Sequence, residues 1–136
     1  MRKKYFFGIG ILLICLAAWG IYTVYRPHRN VKGEDASATL SATSLYDEFS
    51  KNESQANQKW VGKVLEVKGT ISSVTEAGNY ISLNLAAGAD GGVNCSVLKK
   101  DMPEGDKLNK GDAITVKGKC TGFLMDVNLV DCVIKK

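Results

Sequence analysis

The chain has 136 residues, room for one ordinary domain and a short extension. Its net charge of +4 is unevenly placed: five of the 18 basic residues (Arg2, Lys3, Lys4, Arg26, Arg29) flank one apolar run, and all 14 acidic residues follow it. From Val31 onward thirteen basic face fourteen acidic residues, a net of −1, which argues against the overall basic charge of a typical nucleic-acid binder.

Tyr5 through Tyr25 carries no charge. As a helix at 1.5 Å per residue, this run covers the ~30 Å apolar core of a bilayer, and lipid favours a helix because the backbone then satisfies itself. Tyr5, Trp19, Tyr22 and Tyr25 lie near its ends, where amphipathic rings settle. A cleaved signal peptide ending near Cys15-Leu16-Ala17 is the alternative, but the apolar run continues past that point. Ile14 stands where a lipoprotein signal before Cys15 would need a small residue. A retained single-pass anchor is expected, with residues 1–4 a cytoplasmic tail and 5–25 the span. The C-terminal domain is expected outside the cytoplasm, in the periplasm or its equivalent. The flanking charges nearly balance, so orientation rests on the short N-terminal tail.

Residues 26–42, with Pro27, Gly33 and Ser37, read as a tether, and residues 43–136 as the domain. In Thr43–Trp60 the residues Leu45, Phe49, Ala56 and Trp60 recur at helical spacing, opposite a polar face. Ser44 and Asp47 fit a capping box, and Gly62 ends the helix.

Five alternating stretches follow: Val64–Val74, Tyr80–Leu85, Val93–Leu98, Ala113–Cys120 and Val127–Ile134. Asp131 interrupts one face of the last and Asn128 the other. Five short strands leave exposed edges unless they close, so a barrel is expected. Gly69 and Gly118 within strands suit tight barrel bends. The count and size fit a mainly β, five-stranded Greek-key barrel of the oligonucleotide/oligosaccharide-binding kind (the OB-fold), with an N-terminal amphipathic helix.

Few residues carry chemistry. His28, the only histidine, sits in the tether, so the domain has none for acid–base work or zinc. Cys95, Cys120 and Cys132 are too dispersed for a metal site, and no histidine activates a thiolate. No metal or cofactor is expected. Asp101, Glu104, Asp106 and Asp112 read as a solvated acidic loop, and Gly88–Gly92 as a hairpin turn without a phosphate-loop ending. Outside the cytoplasm a disulfide is the expected use of the cysteines. Cys120 and Cys132 lie symmetrically about Asp126 and would face each other in a hairpin centred there; Cys95 with Cys132 is the alternative.

The candidate ligand face is the outside of Tyr80–Leu85 and Val93–Leu98. Tyr80 offers a stacking ring, and Ser82, Asn84, Asn94 and Ser96 offer hydrogen bonds. Lys117 and Lys119 could add charge, and Phe123 a second ring. An alternating polar face is also what any solvated barrel presents.

The segment Asn57–Ile71 (NQKWVGKVLEVKGTI) resembles the opening of small bacterial OB-fold proteins of the tRNA_anti-like family. Val93-Asn94-Cys95, Leu108–Gly122 (LNKGDAITVKGKCTG) and Val127–Cys132 (VNLVDC) are similar to its later strands, and the Leu45–Ala56 helix to its lead-in. The resemblance implies an exported or membrane-attached protein. It brings no catalytic residues, and the family's name does not imply tRNA binding. The sequence therefore reads as a non-enzymatic, membrane-tethered binding module with nucleic acid or a glycan as ligand. The alternative is a protein-interaction or scaffolding domain with an envelope partner.

Overall fold

The computed structural model describes residues 2–24, 31–89, 91–105 and 107–135. Helix α1 runs Arg2–Val24. Its Tyr5–Val24 stretch, 20 residues with a mean hydropathy of 2.1, is long and apolar enough to cross a membrane. Tyr25, Arg26, Pro27, His28 and Arg29 lie outside the described residues, as do Asp90 and Asp106.

The domain is mainly β. Its elements are β1 (Ala38–Ser41), α2 (Ala42–Lys51), α3 (Glu53–Trp60), β2 (Val64–Ala77), β3 (Tyr80–Ala86), β4 (Gly92–Leu98), β5 (Ala113–Leu124) and β6 (Asp126–Lys135). The sheet order is β1-β2-β3-β4-β6-β5, and β5 returns to pair with β2. Strands β2 to β6 thus close a five-stranded barrel.

Closure depends on how β2 bends. Its Val64–Thr70 half pairs with β5, and its Ile71–Ala77 part pairs with β3. Gly69 sits at the bend, where a Cβ would lie 3.0 Å from the Ala42 Cβ and 3.1 Å from the Leu85 Cβ. A register shift between Ile71 and Ser73 completes the turn from one neighbour to the other.

Alternation along the strands sends Leu65, Val67, Ile71, Leu83, Leu85, Val93, Cys95, Val97, Val116, Cys120, Val127 and Leu129 inward, all buried. The helices plug this interior with Leu45, Phe49, Ala56 and Trp60, the stripe expected from their spacing.

The single expected helix is two. Asn52 adopts φ −154°, ψ 88°, ending α2 through its amide to the Glu48 carbonyl and starting α3 as its side chain accepts from the Gln55 amide. Asparagine's short amide competes for backbone groups in this way. The two helices are clamped by Glu48, whose carboxylate accepts from the Trp60 indole at 2.7 Å and from Lys59 at 3.0 Å. The capping residue of α2 is Ser41, which accepts from the Ser44 amide at 3.1 Å, rather than Ser44 itself.

The stretch read as a tether carries structure. Val31 is buried, and β1 runs parallel to β2 with Ala38 opposite Leu65 and Ser41 opposite Lys68. Lys117 Nζ donates to the Lys32 and Glu34 carbonyls and fixes this entry to β5.

Candidate ligand-binding face

Strands β2, β3, β4 and β6 bring the outward residues into cross-strand rows. The first is Ser73–Asn84–Asn94–Asn128, the second Thr75–Ser82–Ser96, the third Ala77–Tyr80–Leu98. None of these residues is charged. The face is a strip of amides and hydroxyls with an aromatic ring at one end.

Its polar groups hold one another in place. Ser82 Oγ donates to Asn94 Oδ1 at 2.6 Å, and Ser72 Oγ to Asn84 Oδ1 at 3.1 Å. Asn84 Nδ2 donates to Asp126 Oδ2 at 3.2 Å, while the Gly92 amide donates to Asp126 Oδ1 at 2.8 Å. Asn128 Nδ2 donates to the Asp126 carbonyl at 3.2 Å. Asp126 therefore pins the β5–β6 turn to β3 and to the start of β4. The oriented amides fix how a ligand would be read, though Asn84 already spends both ends of its amide internally.

Tyr80 is 39% exposed and lines a shallow hollow of about 410 Å³ with Ser96, Val130 and Asp131. Asp131 has φ 52°, in the left-handed region. Between the pairs Cys95–Leu129 and Val97–Cys132, β6 takes three steps while β4 takes two. This bulge lets Asp131 face the hollow while Cys132 returns to the core. At the Tyr80 end, Lys99 pairs with Glu76 at 2.7 Å, and that hydrogen bond holds the Glu76 carboxyl below its ordinary range.

The remaining expected site residues are elsewhere. Lys117 is engaged with the N-terminal segment. Lys119 lies across β6, opposite Val130. The Phe123 ring stacks on Phe49 and meets Tyr46 edge-on, each with centroids 5.7 Å apart, so it is partly buried against the helix–barrel core. Sequence reading missed Asp126, Val130 and Asp131. Asp126 was legible only as a turn residue, and its role depends on the distant Gly92 and Asn84.

The cysteine geometry also differs from expectation. The hairpin turns at Met125, with Leu124 opposite Asp126, and the register shift between Cys120 and Gly122 sets Cys120 opposite Leu129 rather than Cys132. All three domain cysteines are free thiols and buried. Cys132 points over Gly118, where any Cβ would collide with its Sγ. A hydrogen bond with Cys95, together with burial, raises the Cys132 thiol well above its ordinary range; burial raises Cys120.

The tRNA_anti-like family pattern matches residues 1–134. No curated protein sequence matches the chain. Among solved structures, a lipoprotein of Klebsiella pneumoniae subsp. pneumoniae, named as a candidate nucleic acid-binding protein, superposes with a TM-score of 0.62 at 16% identity, covering 82% of this chain and 100% of that one. A candidate aspartyl-tRNA synthetase from Leishmania major Friedlin gives 0.50 at 12% identity, over 88% of this chain and 25% of that one. The S. pombe Stn1–Ten1 complex gives 0.42 at 15% identity, over 54% of this chain and 58% of the matched chain. At these identities the likeness is one of fold.

Proposed function

The chain belongs to the tRNA_anti-like family of OB-fold, nucleic-acid-binding-like proteins, and we propose that it is a non-enzymatic, membrane-tethered binding module of the cell envelope that holds a neutral glycan chain across β3 and β4. One observation carries the choice of ligand. The three rows of the face are uncharged, and the carboxylates of Asp126 and Asp131 stand at its borders. A nucleic acid draws most of its non-specific affinity from cations against phosphate, and single-strand binders add several stacking rings. Here one ring stands at the end of rows of amides and hydroxyls, which suits sugar hydroxyls and an apolar sugar face. The span-length apolar stretch of α1 supports the tether.

The test uses full-length protein in detergent, titrated with the neutral oligosaccharide chitotetraose and, separately, with single-stranded oligothymidylate at low and moderate salt. Chitotetraose binding that is insensitive to salt and lost in Tyr80→Ala is expected. Tight, salt-steep oligothymidylate binding would overturn the reading.

A further inference from the structure

We infer that Leu124 and Met125, at the tip of the β5–β6 hairpin, dip into the bilayer that α1 spans; the inference rests on the anchor reading above.

Leu124 is 82% and Met125 85% exposed. The next most exposed large apolar residues of the domain are Val61 at 41% and Tyr80 at 39%, so the pair stands apart among the described residues. Among the described residues, comparable exposure of a large apolar side chain otherwise occurs only along α1. Tight hairpin turns favour Gly, Asn and Asp, and large side chains left in water there invite association.

The backbone of this tip is held from both sides. Met125 sits at φ 63°. On one side Phe123 is stacked on Phe49, and on the other Asp126 is bonded to the Gly92 amide and Asn84. The hairpin presents two apolar side chains on a rigid support. Its adjoining acid already spends its carboxylate on protein donors, which lessens the penalty of approaching lipid.

Chain length argues for lipid as the occupant. Val31 is seven residues beyond the end of α1 at Val24, a reach of roughly 23–25 Å when fully extended. Lys117 fastens the Lys32 and Glu34 carbonyls, so the chain enters the domain beside β5. Leu124 is seven residues further along β5, roughly 23 Å away at strand rise. The tether and the hairpin therefore match in reach. The chain between Val24 and Val31 is thus long enough for the tip to meet the surface. Two side chains alone bind a bilayer weakly, but a tether this short keeps them at high effective concentration.

The experiment places an environment-sensitive dye on Met125→Cys in full-length Cys15→Ala protein, reconstituted into vesicles of phosphatidylcholine with phosphatidylglycerol. Cys95, Cys120 and Cys132 are at most 1% exposed and stay unlabelled. A dye on Lys110→Cys, in the exposed loop before β5, is the reference. The expected result is a blue-shifted emission at position 125 that lipid-borne nitroxide quenches several-fold more than at position 110, reversed by Leu124→Asp. Equal, water-like emission at both positions while the protein floats with the vesicles would overturn the inference alone. Protein that fails to stay with the vesicles would overturn the anchor reading and the inference with it.

Discussion

Gly92 and Asp126 meet across 34 residues of chain: the Gly92 amide donates to the Asp126 carboxylate at 2.8 Å, and the same carboxylate takes Asn84 Nδ2. This contact sets the start of β4, the β5–β6 turn and the amide row relative to one another. A Cβ at position 92 would collide with the Asn84 side chain and the Leu85 carbonyl. Gly92→Ala should therefore destabilise by about 1–3 kcal/mol as an overpacked site. Asp126→Ala should cost about 1–3 kcal/mol by stranding the Gly92 amide. Thermal and urea denaturation of the two single variants and the double variant measure both, and additive losses would show that the two residues do not act as one unit.

The proposed face assigns different effects to Tyr80, Phe123 and Lys117. Tyr80→Ala should weaken glycan binding several-fold, with little change in melting temperature. Phe123→Ala should do the reverse, because its ring packs on Phe49 and Tyr46. Its loss should cost about 3 kcal/mol of stability, at the low end for a partly buried aromatic. Lys117→Ala should leave affinity unchanged and increase amide exchange at Lys32–Asp35, whose carbonyl partner it removes. Isothermal titration and hydrogen exchange separate these outcomes.

Acid should loosen the domain through three carboxylates. Burial pushes Glu48 up, but hydrogen bonds from Trp60 and Lys59 outweigh it and hold the group below 4.5. The Lys135 hydrogen bond lowers Glu66 against some desolvation, and the Lys99 hydrogen bond lowers Glu76. A carboxyl depressed in the folded state contributes stability that is fully present above its unfolded value and lost as pH falls through its folded value. Stability should thus be level from neutral pH down to the ordinary carboxylate value of 4.5 and decline below it. The ion pairs are solvent-exposed, so the decline should be shallow and smaller at high salt. Glu48→Gln should flatten it most, because Glu48 alone bridges two helices. Denaturation midpoints at stepped pH supply the check.

Local pattern carried the five barrel strands and the helical stripe, because alternation and 3.6-residue spacing are imposed by which face is buried. Three features needed tertiary context. Val31 and β1 carry too few apolar residues to show a period, and β1 exists because Leu65–Lys68 offers it a free edge. Asn52 breaks the helix while the apolar stripe continues through Ala56 and Trp60, so periodicity alone reads straight across it. Phe123 alternates like an outward residue, yet α2 covers that end of the barrel and turns it into core. The face was legible in Tyr80, Ser82, Asn84, Asn94 and Ser96, whereas Val130 and Asp131 reach it only through a bulge.

The cysteines show how that bulge decides chemistry. Counting symmetrically from Asp126 sets Cys120 against Cys132, but the turn at Met125 and the extra residue of β5 between Cys120 and Gly122 move Cys120 opposite Leu129. Cys132 instead enters the core beside Cys95, with its thiol over Gly118. Burial of all three side chains to within 1% of full exclusion should protect them. The raised Cys120 and Cys132 thiols further deplete the reactive thiolate. Alkylation of native protein at neutral pH should therefore label none of them within minutes, and urea should expose all three together. Where the chain is oxidised during refolding with oxidised glutathione, the linkage expected is Cys95 to Cys132, with Cys120 left as a thiol. Non-reducing peptide mapping reads this directly. A Cys120–Cys132 peptide would mean that the β5–β6 register is shifted from the one described. Rapid labelling of Cys120 in the native state would mean that the helix–barrel seam opens far more often than its packing implies.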